Sequence, residues 1–502
     1  KETDASDQSG AFVLFLEHDT GRNASVGAAA IHRQDAAMAQ TLLSVSALLL
    51  SVALLIFGHG LQTTLLPLAA ERFYFTDFEI GLVSSAYFFG MVLGCLGAPL
   101  VIMRAGHIRA FAALVSLMSA AAILHPVLID PYAWMIIRMI SGFSLAGFYM
   151  IVESWLNESA SNENRGTVMS FYIVILFGAL MLGQISIASM NIADFIPFAI
   201  ASVMVSLAVM PVSLTTSTQP APITLVRFQP VKLYKNSPAA FIGVLFIGSS
   251  QGALLTLSSL YGSQIGLSTK EAAFYAAAIV GGGLIAQWPV GRLSDRIDRR
   301  LVIAGLGIAT AAVSAAIVFF SPKDFTVAVL SAVAMGMVVQ PLYAIAVAHA
   351  FDHAAAEDFV ATSSGMLLSF GIGSIIGPLA ASMIMSNTGP SGLYIMIIGS
   401  NILMVIFILA RVLTRQAPTA EEKTDFEYAS TAQVGSVISA EPLDAAAEEY
   451  VIAPEDFPAY EDDIYNFESS SDPEAEENNA SAEGTETEEA PDATADKTSP
   501  KS

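Results

Sequence analysis

Residues 41–413 hold twelve long apolar segments, and these decide the solvent in which the chain must fold. They run approximately over 41–68, 78–101, 109–129, 132–156, 166–190, 194–214, 239–262, 270–290, 301–320, 325–349, 359–386 and 391–413. Crossing the ~30 Å of hydrocarbon in a bilayer takes roughly 20 residues of helix, so each segment is long enough to span. Lipid offers no hydrogen-bond partner to an open backbone, so each segment must be helical. The chain is 54% apolar and 13% charged, outside the range of ordinary soluble proteins. The expected fold is an all-α membrane protein with twelve transmembrane helices in two six-helix bundles.

Residues 215–238 carry Pro220, Pro222, Pro230 and Pro238 with Arg227, Lys232 and Lys235. This stretch reads as a polar linker between an N-terminal bundle, 41–214, and a C-terminal bundle, 239–413. An offset of 194 maps Gly97 to Gly291, Gly142 to Gly336, Tyr149 to Tyr343, Glu158 to Asp352 and Gly183 to Gly377 without a gap. Such a parallel repeat is expected of transporters that bind at the repeat interface.

Loops at one end carry Arg104, Arg109, Arg165, Arg227, Lys232, Lys235, Arg292, Arg296, Arg299, Arg300, Arg411 and Arg415; the opposite loops carry Arg72, Lys270 and Lys323. Basic loops stay in the cytoplasm, which places the first end, and with it both termini, on the cytoplasmic side. The net charge of −23 belongs to the tail, because residues 416–502 hold 24 Asp/Glu against 3 Lys. A segment so acidic and so poor in large apolar residues is expected to be disordered, and residues 414–502 read as an acidic cytoplasmic tail.

Residues 1–40 read as a disordered extension with no cleavable signal peptide, and Met38, just before the first apolar run, is the expected natural start. The single cysteine, Cys95, can form no internal disulfide and reads as a packing residue. His349, Asp352 and His353 cluster near the tenth-to-eleventh connection, where a solvated loop is the plainer reading than a metal site. The run Gly281-Gly282-Gly283 lies inside a span and lacks the Lys-Ser of a nucleotide-binding loop. No catalytic motif, cofactor, metal or nucleic-acid partner is expected.

The connection Gly291-Arg292-Leu293-Ser294-Asp295-Arg296-Ile297-Asp298-Arg299-Arg300 packs four arginines and two aspartates between two spans. Together with Gly60-Leu61-Gln62-Thr63-Thr64-Leu65-Leu66-Pro67, Gly106-His107-Ile108-Arg109, Glu153-Ser154-Trp155-Leu156-Asn157-Glu158 and Gln287-Trp288-Pro289-Val290, it resembles the major facilitator superfamily. Within that superfamily the chain is similar to the YcaD-like bacterial permeases. The resemblance implies alternating access by two rocking bundles, with spans one, four, seven and ten round a central cavity. It also implies a conformational latch at this loop, formed by Gly291, Asp295, Arg296, Arg299 and Arg300, with Glu158 and Arg165 at the corresponding place in the first half. The second-to-third loop, Gly97 to Gly106, lacks the Asp-Arg pair of that signature, and Asp298 stands where it has Gly.

Two charged side chains fall inside the fourth span. Arg138 lies six residues in, where a charge costs about 2.5–3.5 kcal/mol and so needs a partner or water. The string Arg138-Met139-Ile140-Ser141-Gly142 resembles a motif of proton-linked members, and snorkelling to the interface is the other reading. Glu153 sits about 22 Å further along the helix, at 1.5 Å per residue. Among apolar neighbours, a carboxyl there can gain and lose a proton with access to water; a helix-end ion pair with Arg165 or a loop arginine is the alternative. His59, Gln62, Tyr149, Gln184, Gln251, Gln287, Gln340 and Tyr343 are the cavity candidates, each weighed against a plain interhelical hydrogen bond.

The expected activity is secondary transport of a small organic solute, coupled to protons, by a monomer in the lipid of the bacterial inner membrane. A non-transporting receptor or scaffold acting through the acidic tail is the alternative. Reporter fusions after residues 265 and 295 should fall on opposite faces of the membrane; the same face for both contradicts the twelve-span topology.

Overall fold

The computed structural model describes residues 45–159, 165–214, 230–352, 354 and 359–414. The expected extension at 1–40 with Met38, the tail beyond Thr414, and Arg227, His353 and Arg415 lie outside these residues. Twelve helices are long and apolar enough to cross a membrane: α1 (Val45–Arg72), α2 (Asp77–Ala105), α3 (His107–Leu124), α4 (Pro131–Ser159), α5 (Arg165–Ser189), α6 (Ile196–Ser213), α7 (Pro238–Gln264), α8 (Thr269–Arg296), α9 (Arg299–Phe320), α10 (Phe325–Phe351), α11 (Thr362–Thr388) and α12 (Gly392–Leu413). A short helix, Pro230–Asn236, precedes α7.

Local chemistry sets the helix ends. Thr76 and Glu79 form a capping box at the start of α2, and Ser268 and Glu271 form its counterpart at α8. Asp298 and Asp324 cap α9 and α10 by accepting from the Arg300 and Val327 N–H groups. Gly106, at φ 78°, makes the sharp turn between α2 and α3 that a side chain resists. Inside α10 the helix breaks at Gln340, just before Pro341, whose missing N–H cannot continue the ladder.

The bundles are held by helix pairs that touch backbone to backbone. A Cβ on Gly142 of α4 would strike the Tyr87 carbonyl of α2, and one on Gly336 of α10 would strike the Ile279 carbonyl of α8. Gly183 of α5 meets the Phe57 carbonyl of α1 in the same way, and Gly377 of α11 meets the Ser249 carbonyl of α7. Without a hydrophobic drive between helices in lipid, such close approach supplies much of the packing attraction.

These contacts also correct the register of the repeat. The capping boxes at Thr76 and Ser268 are 192 residues apart, as are the starts of α3 and α9 at His107 and Arg299. Gly142 and Gly336, and Gly183 and Gly377, are 194 apart. The two halves therefore align with a two-residue step between the third and fourth helices. The expected match of Gly97 to Gly291 falls in the part where the offset is 192, and it fails; Gly97 instead aligns with Pro289.

One apolar core fills the first bundle. The other fills the second and continues into Leu61, Leu65, Ile80, Val83, Trp134, Ile187 and Phe198 of the first, at the end away from the basic loops. There the Gln264 amide donates to Asp77 (2.7 Å), Ser259 donates to the Thr64 carbonyl (3.4 Å), and Ser382 of α11 sits against Gly81 of α2. The two halves are thus sealed together at that end.

Gly142→Ala should lower thermal stability in detergent by ~1–3 kcal/mol, the cost of overpacking. Gly178→Ala, which meets nothing within 4 Å, should be neutral or stabilising. Equal melting temperatures for the two variants would contradict the contact.

Candidate functional site

Helix α4 carries both charged side chains, and both face inward. At about 100° per residue, Arg138, Tyr149 and Glu153 fall within about 60° of one another round the helix. Arg138 is 3% exposed and Glu153 is 1% exposed, so both side chains are enclosed by the protein.

The guanidinium of Arg138 lies 4.2 Å from the Tyr87 ring centroid, a cation–π contact worth up to ~2 kcal/mol when desolvated. The Gly142 crossing brings Tyr87 to that place. Tyr87 stacks on His59 (5.5 Å, 24°), and its hydroxyl is 3.3 Å from His59 Nε2. Among the described residues Arg138 has no carboxylate partner, and its Nη1 makes no hydrogen bond. Just past α3, His125 is buried, with its Nδ1 2.8 Å from the Ala121 carbonyl.

A small cavity adjoins Arg138, with room for about one water molecule. Gln62, Thr63, Leu66, Pro67 and Ala70 of α1, Ile80, Val83 and Ser84 of α2 and Thr256 of α7 complete its wall, so it lies between the halves and beneath the sealed end. Neither amide atom of Gln62 has a partner, and the side chain is 1% exposed. Thr63 donates to the Gly60 carbonyl (2.7 Å) and accepts from the Gln184 amide (3.4 Å), whose oxygen is left free.

Glu153 lies towards the basic end. The Tyr172 hydroxyl donates to its Oε1 (3.1 Å), and Oε2 has no partner. The expected alternative, an ion pair with Arg165, is not formed: Arg165 points to the Asn157 carbonyl (3.5 Å). Tyr149 is within electrostatic reach of Tyr87 and Glu153, and Tyr343 of α10 is within reach of Glu153 and Cys95. Four tyrosines thus link the surroundings of the two charges, one of them from the second half.

The remaining candidates separate. Gln251 donates to the Val339 and Gln340 carbonyls (2.7 and 3.2 Å), at the break in α10. The Gln340 side chain lies over Gly283, and Gln287 is half-buried on α8.

At the basic end Arg299, 1% exposed, bridges Asp352 of α10 (3.0 Å) and Asp295 of α8 (3.1 Å). Asp352 has a side chain 2% exposed, which overturns its expected place in a solvated loop. Arg296 is exposed, and Asp295 pairs with Arg299 instead. Arg300 pairs with Asp298 (2.8 Å). Burial opposes the Asp298 charge, but the Arg300 hydrogen bonds outweigh it and hold the carboxyl below the usual aspartate range. Its contribution is present at neutral pH and is lost only as pH falls through that depressed value. Gly291 is buried beside this cluster and Glu158 is exposed. Among the described residues no group of three or more His, Cys, Asp and Glu side chains is arranged to hold a metal.

Sequence reading missed Tyr87 and Tyr172. Tyrosine is normally found at the two interfaces of a membrane, so a tyrosine in mid-span was the available signal.

Residues 48–322 and 240–447 match the sequence profile of the Major Facilitator Superfamily. The chain is 27% identical to the MFS-type transporter YcaD of Escherichia fergusonii over 379 residues, covering 75% of this chain and 98% of that one. It is 28% identical to an MFS-type transporter of Enterobacter sp. (strain 638), covering 74% and 97%. The fold is similar to the crystal structure of nucleoside transporter NupG (TM-score 0.60, 14% identity, 73% of this chain and 98% of that one). It is also similar to a bacterial homologue of the human lysosomal transporter Spinster, solved in an inward-facing and occupied conformation (0.56, 16%, 79% and 98%).

Breaking a buried ion pair from one side costs ~3–5 kcal/mol, whereas an exposed pair is worth under ~1 kcal/mol. Asp352→Asn should therefore destabilise the chain far more than Asp295→Asn, since the Asp295 side chain is 40% exposed. Thermal unfolding in detergent checks the order, and equal losses would contradict it.

Proposed function

The chain belongs to the major facilitator superfamily, and from that premise we propose that it moves a small organic solute across the bacterial inner membrane by alternating access, coupled to protons. The observation that carries this reading is the pair of buried charges on one face of α4, neither with a counter-ion among the described residues. Charges held at membrane depth are costly and persist where they serve a solute or ion path.

The basic end faces the cytoplasm on this reading, because basic loops are retained there. Glu153, nearer that end, takes and releases the coupling proton as the cavity opens and closes, with Tyr149, Tyr172 and Tyr343 around it. Arg138, beneath the sealed end, gives the solute its fixed positive contact, and His59, Gln62 and Gln184 orient it. Gln251 and Gln340 support α10, and Gln287 borders the path on α8. The cluster of Gly291, Asp295, Arg296, Arg299 and Arg300 acts as the latch that ties α8, α9 and α10, with Glu158 and Arg165 at the equivalent corner of the first half. A monomer in lipid suffices for this cycle.

The test is uptake into proteoliposomes under an imposed pH gradient. Glu153→Gln should abolish gradient-driven accumulation while leaving solute exchange at zero gradient. Unchanged accumulation by Glu153→Gln would overturn the role of Glu153. Asp295→Asn should slow uptake without reducing the amount of protein inserted.

A further inference from the structure

We propose that the cavity bounded by Arg138 and Gln62 is a carboxylate subsite, and that the transported solute is a small monocarboxylate; this rests on the transport reading above. Three observations converge there. Arg138 is buried, carries a full charge and has no acid beside it among the described residues, with Nη1 making no hydrogen bond. Gln62, in the same wall, leaves both an N–H donor and a carbonyl acceptor unused. Buried polar groups are nearly always paired, so two such neighbours round one cavity mark a place for a ligand. Leu66, Pro67, Ala70, Ile80 and Val83 make the apolar part of the wall, and Thr63, Ser84 and Thr256 are its other polar members.

The chemistry of the ligand follows from these groups. A guanidinium matches a carboxylate in a planar, two-pronged contact. A monoanion balances the single charge of Arg138, whereas a dianion leaves one negative charge uncompensated in hydrocarbon. The room beside Arg138 is about that of one water, enough for a carboxylate oxygen. The Gln62 amide can donate to the second carboxylate oxygen, and its carbonyl can accept from a hydroxyl on the neighbouring carbon. The short aliphatic body is then admitted along the apolar part of the wall as the halves part.

Binding is measured on the purified full-length chain in detergent, by calorimetry and by thermal unfolding, with butyrate, lactate, butyramide, butylamine and chloride as probes. Butyrate and lactate should bind and stabilise, and the amide, the amine and chloride should not. Arg138→Gln removes the charge and should weaken butyrate binding at least ~30-fold, the loss expected when one partner of a buried charge pair is removed. Gln62→Leu should weaken lactate more than butyrate, and it keeps the site falsifiable if Arg138 variants do not fold. Equal binding of butyramide and butyrate overturns the proposal, as does equal stabilisation by chloride, or no binding by either acid. Flux of neutral or cationic solutes without carboxylate binding sinks this subsite and leaves transport standing. Carboxylate binding without any flux sinks the transport reading and leaves the subsite.

Discussion

The crossing of α2 and α4, where Gly142 lets one backbone rest on the Tyr87 carbonyl of the other, sets the surroundings of Arg138. It sets the Tyr87 ring against the Arg138 guanidinium and the Tyr87 hydroxyl against His59. An arginine with only a ring face for company remains a charge in search of a counter-ion. In water that would matter little, but at membrane depth it is one of the largest unspent electrostatic terms a protein can hold. The packing that stabilises the bundle is thus the same packing that leaves the charge unanswered.

The two halves share a frame but not a chemistry. With the corrected register, Tyr87 aligns with Ile279, Arg138 with Ala332 and Glu153 with Val347, so the buried charges of α4 have no counterparts in α10. At the basic end the asymmetry reverses. Arg299 aligns with His107, and the buried bridge from Arg299 to Asp352 has as its first-half relative only Glu158 near His107. One bundle holds the intramembrane charges and the other holds the ionic cluster that ties three helices at the surface.

Much of the fold was legible in the sequence because hydrocarbon imposes so strict a rule. Length, apolarity and the step in charge at 215–238 were enough to place twelve helices and two bundles. The gap-free repeat failed because glycines recur often enough to match by chance, whereas helix caps mark true ends: Thr76 and Ser268 show the step that Gly97 and Gly291 hid. Within the site, Arg138, Glu153 and Gln62 could be singled out because charge and amide groups are rare in such spans. Tyr87 and Tyr172 carried only the signal of a tyrosine in mid-span, which does not announce its partner. Asp352 looked like a loop residue because its partner, Arg299, lies 53 positions away. Gln251 looked like a ligand contact because nothing in the chain shows that a neighbouring helix needs its amide.

That amide has a consequence of its own. Pro341 interrupts α10, and Gln251 of α7 acts as the splint, lending its N–H groups to the Val339 and Gln340 carbonyls. Removing that amide takes away a tie between α7 and the break in α10. One crossing thereby steadies the weak point of another, across 90 residues of chain.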